Sequence, residues 1–458
     1  MITLPMKVVI TRPRYKTHLI TPPLGMGYLS SYLKNKGVEC EIIDGLNLDL
    51  SNKEIVKRSR HVDVIGISVL SYYFLEAVDL AKRLKKAGKI VVIGGPHAST
   101  LPILTLKESK ADYVVIGEGE ETLFKLIKNI KEGKKKKDIR FDGLISAFNK
   151  KPVFAPFIKD LSSLPIPDWT QIDPRTYKKA PHGGIVSNFP VAPIMTTRGC
   201  PYECKFCASP HLWKRRLRFR DPQEVIQEIT YLVNTLGVKE IHFEDDNFTL
   251  KRDHAEAVCK GIIKNKIRVA WCTPNGIRAD KVDMKLLKLM KKAGCYSVAF
   301  GIESGNDVIL KNILKHENLD TIRKAIMMAH KVGLITQGFF IFGLPGETKD
   351  TIRETINFAK SVPLDKAQFL LLDIIPGSAL WSELRFDKKV NWHIDSFHEV
   401  SWLPPTIDKK TLSNAQSLAF REFFFRPKQI FMLMRYFKIS QISFALKRIR
   451  DFKIFKFS

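Results

Sequence analysis

The chain has 458 residues, 45% of them hydrophobic, and a formal net charge of +28, which is enough for about two to four well-packed domains. No apolar run approaches the ~18–20 residues of a membrane span, the amino terminus lacks a secretory signal, and the seven cysteines show no paired framework. We therefore expect a soluble, cytoplasmic protein without a disulfide scaffold, whose basic surplus suits either an anionic partner or a solvated lysine-rich surface.

The first 147 residues alternate between short apolar runs and amphipathic helix patterns. Five runs predict buried parallel strands: MKVVIT, CEIIDG, VDVIGISV, KIVVIGGPH and ADYVVIGEGE. The helix patterns between them favour right-handed βαβ units, so residues 1–147 are predicted to form a flavodoxin-like (Rossmann-type) α/β domain. Its ligand crevice should lie at the carboxyl ends of the strands, where the Gly-rich turns Gly94-Gly95-Pro96-His97 and Gly117-Glu118-Gly119 occur.

The alternation stops and then resumes. Residues 154–174 are rich in proline and serine, and we interpret 148–190 as an inter-domain linker. About six further strand–helix repeats follow, which predict a partial (β/α)6 TIM-type barrel over residues 191–380, with its chemistry at the carboxyl ends of the strands. Residues 381–458 are predicted to form a small, mostly helical accessory region that is basic and amphipathic.

Three cysteines lie close together directly after the first barrel strand. Cys200, Cys204 and Cys207 are spaced C-x3-C-x2-C in a polar loop. A structural zinc site needs a fourth ligand, for which His211 is the candidate, and a redox pair of Cys204 and Cys207 leaves Cys200 without a role. A [4Fe–4S] cluster held by three thiolates fits the spacing better, because it leaves one iron free to bind a small molecule.

This cysteine spacing, with Phe206 before the last cysteine and a partial barrel around it, resembles the radical S-adenosylmethionine (SAM) superfamily. The resemblance implies that the open iron binds the amino and carboxylate groups of SAM. It further implies that an electron from the cluster cleaves SAM to a 5′-deoxyadenosyl radical, which abstracts hydrogen from an unactivated carbon. An external electron donor such as a flavodoxin or ferredoxin is implied as well.

The same resemblance assigns SAM-binding roles to side chains that follow later strands. Asp245 and Asp246 would hold the ammonium group, although Asp246 or Asn247 could instead cap a helix. Arg278 would face the carboxylate, or form a surface salt bridge. Glu303 and Ser304 would contact the ribose or the methionine end, or only close a turn. The glycines of FFIFGLPGET, residues 343 and 346, would let the backbone approach the adenine. The predicted SAM-binding residues are Phe206, Asp245, Asp246, Arg278, Glu303, Ser304, Gly343 and Gly346.

A flavodoxin-like domain before such a barrel resembles the cobalamin-binding subfamily, and the resemblance covers about residues 7–380. It implies a corrin site lined by Ser68, Leu70, Tyr72, Gly94, Gly95, His97 and Gly117. The D-x-H-x-x-G motif that supplies a histidine to cobalt in many cobalamin proteins is absent from the sequence. Cobalamin is therefore expected to bind without that ligand, although His97 could either approach the corrin or cap a helix.

The carboxyl-terminal segment 420–458 interleaves phenylalanine, isoleucine and leucine with lysine and arginine. It either packs against the barrel with a basic solvated face or lies on an anionic membrane at the inner face, which would suit a lipid-like or hydrophobic substrate. Nucleic acid is a disfavoured partner, because neither an RNA-binding module nor a second cluster motif is present in the sequence.

The favoured function is a cobalamin-dependent C-methyltransferase that acts on an unactivated carbon of a small molecule. Oxidative cyclisation or rearrangement without methyl transfer is the alternative, and a non-catalytic metal-binding protein is a third hypothesis.

Overall fold

A computed structural model describes residues 6–17, 20–178, 188–384, 392 and 400–436. The chain forms two units. The described residues of the first unit extend through 178 and include 211–214 and Trp392, and the second unit contains the rest. Among the described residues, every helix is too short or too polar to cross a lipid bilayer.

The first unit is built on a six-stranded sheet in the order β2-β1-β3-β4-β5-β6. The first five strands are parallel, in the order expected of a flavodoxin-like domain, which confirms the prediction. The sixth strand is an antiparallel edge that the sequence pattern did not reveal, because it is only three residues long. The strands are β1 Lys7–Arg12, β2 Glu39–Asp44, β3 Val64–Ser68, β4 Ile90–Gly94, β5 Tyr113–Val115 and β6 Leu144–Ser146.

Six helices accompany this sheet. Helix α3 is amphipathic and buries Phe74, Val78 and Leu84 in the core of the unit. Helix α2 begins at a capping box, in which Ser51 and Glu54 satisfy each other's backbone N–H groups. The helices are α1 Leu24–Asn35, α2 Asn52–Arg58, α3 Phe74–Lys86, α4 Pro96–Thr100, α5 Pro102–Ser109 and α6 Glu120–Lys131.

The segment predicted as a linker packs closely on the first unit as far as it is described. The Asp168 carboxylate accepts hydrogen bonds from Ser30 Oγ (2.8 Å), Lys34 Nζ (2.6 Å) and Thr170 Oγ1 (2.6 Å). Gln171 bonds to the outer strand β2, accepting from Ile42 N (2.7 Å) and donating to the Cys40 carbonyl (3.0 Å). Residues 168–171 are therefore an ordered part of the first unit.

The second unit contains six parallel strands in the order β14-β13-β12-β11-β10-β7, so that successive strands are neighbours as in a barrel. This confirms the predicted partial barrel. A two-stranded antiparallel hairpin, β8 with β9, was not predicted and brackets the cysteine loop. The strands are β7 Val191–Ile194, β8 Thr197–Arg198, β9 Arg218–Phe219, β10 Glu240–Phe243, β11 Ala270–Ile277, β12 Cys295–Glu303, β13 Ile335–Phe342 and β14 Lys366–Leu371.

Helices connect these strands and form the described part of the carboxyl-terminal region, which is helical as predicted. Helix α15 packs on β14, where the Phe369 ring lies 5.5 Å from Phe420 and 6.1 Å from Phe423. Residues 437–458, with most of the predicted amphipathic tail, lie outside the described residues. The helices are α7 Ser209–Trp213, α8 Pro222–Asn234, α9 Arg252–Lys264, α10 Met284–Lys292, α11 Asp307–Asn312, α12 Leu319–Lys331, α13 Lys349–Ser361, α14 Ala379–Glu383, α15 Lys409–Phe424 and α16 Pro427–Tyr436.

Candidate functional site

The cysteine loop leaves the carboxyl end of the barrel sheet between β8 and α7. Gly199 opens it with φ = 100°, a conformation that other residues adopt at a cost. Cys207 N donates to the Cys204 carbonyl at 3.0 Å. The loop is tied to its surroundings through Lys205, whose N–H donates to Ile313 O and whose carbonyl accepts from Leu380 N, both at 3.0 Å. The backbone therefore holds the three thiols in a defined arrangement.

All three cysteines are partly exposed and unbridged. Burial raises the pKa of Cys200 to about 11 and that of Cys207 to about 12, so the thiols are protonated until a metal displaces the proton. Among the described residues, three metal-ligating atoms lie within 4.8 Å of one another only at Glu240, His242 and Cys272. Three thiols on one short loop are the type of ligand that an iron–sulfur cluster takes.

Two adjacent aspartates after β10 have different environments. Asp245 is 1% exposed, and its carboxylate accepts hydrogen bonds from the backbone N–H and hydroxyl groups of Thr196 and Thr197. Burial raises the pKa of Asp245 to about 6. The carboxylate thus ties the end of β7 to β10, and its predicted contact with SAM stays a prediction.

Asp246 lies next to the cysteine loop. Its carboxylate accepts a hydrogen bond from Ser209 Oγ (2.9 Å), and it interacts electrostatically with Cys200 and Cys207. The side chain reaches solvent, yet the surrounding protein desolvates the carboxyl enough to raise its pKa. A side chain that lines a recess open to solvent, beside the thiols, would be both exposed and partly desolvated, as Asp246 is. The alternative role in helix capping is wrong, because α9 begins at Arg252 with Lys251 as its N-cap.

Glu303 ends β12 at a register shift, with φ = 68°, which is rare for a residue with a side chain. Its carboxylate accepts a hydrogen bond from Lys315 Nζ at 2.9 Å, and both side chains are buried. Burial alone would lower the pKa of Lys315, but the carboxylates of Glu303 and Glu317 outweigh burial and raise it. Lys315 and Glu303 both act electrostatically on Cys204, so a buried ion pair lies beside the cluster loop.

Arg278 lies beside the ion pair of Glu303 and Lys315 and binds the backbone carbonyl of Lys315. Its guanidinium stacks on Tyr202 at 3.7 Å and donates to Asp280 Oδ1 and to the carbonyls of Lys315 and His316 at 2.8–2.9 Å. Three of its five N–H groups are thus engaged within the protein. Sequence reasoning missed Lys315 and Glu317, because single charged residues in a lysine-rich chain carry no motif.

Three of the remaining predicted SAM-binding residues lie further along the sheet edge, and the fourth, Phe206, lies in the cysteine loop. Ser304 is fully buried, with Oγ 3.3 Å from Thr355 Oγ1. The backbone turns sharply at residues 343 (φ = 90°) and 346 (φ = 85°), and a side chain at 346 would come within 2.8 Å of Asn312. Phe206 is half-buried in the cysteine loop. No described contact joins these four to the cysteines, and their roles stay predictions.

The predicted cobalamin residues lie at the carboxyl ends of β3, β4 and β5 in the first unit. Gly95 has φ = 104°, and a Cβ there would come within 2.8 Å of Val69 O, so the two strand exits pass in close contact. Ser68 hydrogen-bonds Tyr73, Leu70 packs on the core, and Tyr72 is 39% exposed. The strand exits thus present small residues and an exposed aromatic ring, which fit the approach of a large planar cofactor.

His97 is enclosed by aromatic rings instead of facing an open crevice. It is 1% exposed, stacks on Phe74 (4.1 Å between ring centroids) and meets the edge of Trp392 (5.0 Å). Its Nδ1 pairs with Ser71 Oγ at 2.9 Å, and Nε2 has no hydrogen-bond partner among the described residues. Burial lowers the pKa of His97 to about 3, so the ring is neutral near pH 7.

Two further candidates of the sequence analysis lie in the first unit. A Cβ at Gly117 would come within 2.9 Å of the Phe154 ring, so the aromatic ring covers this turn. His211, considered as a fourth zinc ligand, also approaches Phe154, with ring centroids 5.9 Å apart. The Phe154 ring therefore covers Gly117, and the predicted contact of Gly117 with the corrin stays a prediction.

Comparisons with known proteins identify two domain families in the chain. The radical SAM superfamily model matches residues 194–359, and the B12 binding domain model matches residues 13–127. An uncharacterized methyltransferase of Pyrococcus horikoshii is 32% identical over 429 residues, covering 89% of this chain and 88% of that protein. A cytidylyl-2-hydroxyethylphosphonate methyltransferase of Streptomyces wedmorensis is 28% identical, with 82% and 81% covered.

A solved structure shares the fold. The radical SAM methyltransferase TsrM from Kitasatospora setae, bound to tryptophan and a SAM analogue, superposes with a TM-score of 0.72 at 18% identity. The match covers 95% of this chain and 90% of that one. At this identity the likeness concerns the fold alone.

Proposed function

The chain belongs to the radical SAM superfamily, in the branch with a B12-binding domain, and we propose that it is a C-methyltransferase acting on an unactivated carbon of a small molecule. Its cofactors are a [4Fe–4S] cluster, SAM and cobalamin, as predicted. When bound, the cluster and SAM supply hydrogen abstraction from carbon, and cobalamin supplies a methyl group. The observation that carries the proposal is the three-thiolate loop at the carboxyl edge of a barrel, in a chain that also has a B12-binding domain.

The described side chains can perform the tasks of binding and orientation. Cys200, Cys204 and Cys207 would hold the cluster through their thiolates, and the cluster would supply the site at which SAM binds. Asp246, beside the thiols and open to solvent, binds the ammonium group of SAM through a charge-assisted hydrogen bond. Glu303, held in a strained conformation by Lys315, faces the ribose or the methionine end.

Methyl transfer is favoured over cyclisation because the relative from Pyrococcus horikoshii, 32% identical, is a methyltransferase by name, whereas relatives named as cyclases are 28–29% identical. An external flavodoxin or ferredoxin would supply the electron. We retain contact with an inner membrane surface as a proposal for residues 440–458, which lie outside the described part. It is supported by Phe431 on the preceding helix α16, which is 66% exposed.

The test is anaerobic reconstitution of the full-length chain with iron, sulfide and hydroxocobalamin. We expect cobalamin to co-elute with the protein on gel filtration, and 5′-deoxyadenosine to form from SAM in the presence of dithionite. Incubation with a metabolite extract and methyl-labelled SAM should yield a labelled product that mass spectrometry detects. A Cys207→Ser chain should retain cobalamin and form no deoxyadenosine.

The outcomes separate the alternatives. Cobalamin and deoxyadenosine without a labelled product would favour cyclisation or rearrangement. Failure to retain cobalamin would refute methyl transfer, and absence of an iron–sulfur spectrum would refute radical chemistry altogether.

A further inference from the structure

A second group of metal-ligating side chains lies in the barrel sheet, toward the amino-terminal end of its strands. Glu240 is the first residue of β10, and His242 lies two residues later, so both side chains point to the same face. Cys272 is the register partner of His242 on the neighbouring strand β11. The carboxylate, imidazole and thiol atoms all lie within 4.8 Å of one another.

These three side chains are deeply buried, with exposures of 0% for Glu240, 2% for His242 and 7% for Cys272. Burying a carboxylate is costly unless its charge is compensated. Glu240 accepts hydrogen bonds from Tyr296 OH (2.6 Å), the backbone N–H of Asn188 (2.8 Å) and His242 Nε2 (2.9 Å). Tyr296 and Asn188 thus hold the carboxylate in one orientation, as outer-shell partners hold metal ligands. His242 would bind an ion through Nε2 as the neutral tautomer with its proton on Nδ1, so the contact between Nε2 and Glu240 would give way to the metal.

We propose that Glu240, His242 and Cys272 bind a single divalent transition-metal ion, which their mixed oxygen, nitrogen and sulfur donors identify as Zn²⁺. Zinc accepts these three donor types and prefers four ligands. The Tyr296 hydroxyl is hydrogen-bonded to both Glu240 and Cys272, so it lies beside two of the three ligands. Cys272 binds as the thiolate and its proton goes to solvent, so that the carboxylate and the thiolate balance the charge of the ion.

One neighbouring group opposes a cation. The Lys366 ammonium interacts electrostatically with both Cys272 and Glu240, and burial lowers the pKa of Lys366. Because all three ligands are buried, the ion has a structural role: it ties β10 to β11 from the side of the sheet remote from the cysteine loop.

The test uses the full-length chain with Cys200, Cys204 and Cys207 replaced by alanine, so that no cluster contributes metal. After equilibration with excess ZnCl₂ under reducing conditions and desalting, elemental analysis should give about one zinc per chain. In a separate sample of the metal-free chain, CoCl₂ should produce the thiolate-to-cobalt absorption and the visible bands of a tetrahedral site. His242→Gln and Cys272→Ser should each weaken metal binding by ~100-fold or more.

Cys259→Ser is the matched control, because Cys259 is another buried cysteine outside the group, on α9. It should leave zinc content and the cobalt spectrum unchanged. Background zinc and no cobalt–thiolate absorption in the parent chain would overturn the proposal and leave a hydrogen-bonded network. Metal binding that survives both ligand variants would overturn it too. If those variants fail to fold, the cobalt spectrum of the parent beside that of Cys259→Ser decides.

Discussion

Acidic side chains at the two ends of the barrel sheet have opposite surroundings. At the carboxyl end, Asp246 reaches solvent beside the partly exposed Cys200 and Cys207, and it accepts hydrogen bonds from Ser209 Oγ and from the backbone N–H of Gly199. Toward the amino end, Glu240 is 0% exposed and accepts three hydrogen bonds. Residue type is nearly the same, so burial separates a side chain that can meet a small molecule from solvent from one that is enclosed within the sheet.

The largest effect should come from the cysteine loop. Cys207→Ser should abolish cluster assembly and SAM cleavage, because serine does not replace a thiolate ligand to iron. It should change the thermal unfolding temperature little, since the loop is partly exposed. Iron and sulfide analysis and deoxyadenosine assays measure the loss. Cys259→Ser is the control, and equal loss in both variants would contradict a special role for the loop.

Glu347 tests whether every carboxylate near the carboxyl end is available to ligands. It follows β13, is 0% exposed, and accepts backbone N–H donors from Gly343 and Leu344 through one oxygen. Burial raises the pKa of Glu347 to about 8. Because the folded chain holds this proton more tightly than the unfolded chain, stability is greatest below pH ~4.5 and falls toward pH 8, by on the order of 5 kcal/mol.

Glu347→Gln should therefore flatten the decline of unfolding temperature between pH 5 and pH 8. Thermal denaturation of both chains across that range measures the difference. Equal slopes would mean that the carboxyl is hydrated in the folded chain, and Glu347 would then join Asp246 among the accessible groups.

Glu240→Gln should destabilise the second unit by about 3 kcal/mol, because an amide places a donor where the carboxylate accepts from Tyr296, His242 and Asn188. Cluster content should stay normal, which thermal unfolding and iron analysis together would show. Glu354→Gln, on the exposed face of α13, is the control. If Glu240→Gln instead had normal stability and no cluster, Glu240 would serve cluster binding and not the stability of the sheet, which contradicts the prediction.

The neighbouring aspartates give the finest contrast within one edge. Asp246→Asn should weaken SAM binding by ~10–100-fold with little change in stability, because it removes a charge-assisted bond. Asp245→Asn should instead lower stability by about 2 kcal/mol, since the amide would oppose the N–H donors of Thr196 and Thr197. Calorimetric titration of SAM and thermal unfolding separate the two. The reverse assignment would show that Asp245 is the ligand.

The sequence predicted the two sheets and the cysteine loop well, because strands buried on both faces leave long apolar runs and the cysteine spacing is specific. It could not separate Asp245 from Asp246. Adjacent residues at a strand end point in different directions, and only the position of Thr196 decides which carboxylate becomes internal.

Roles that depend on distant loops were also beyond the sequence. Arg278 follows β11 as expected, but its donors are directed to the carbonyls of residues 315 and 316, which another strand and helix bring near. His97 lies at the expected strand exit, yet Trp392, almost three hundred positions later, helps to enclose it. The strand β6 and the hairpin β8–β9 are too short to leave a periodic pattern.

The contacts of Gln171 with β2 bear on how the first unit can be isolated. An outer strand whose N–H and carbonyl groups are free invites pairing with a second molecule, and natural sheets protect such strands. In this chain β2 is protected by the side chain of Gln171, which lies 127 positions after the end of that strand. A fragment that ends at residue 147 would lack Gln171 and be prone to self-association through β2, whereas a fragment that ends at residue 178 would retain Gln171.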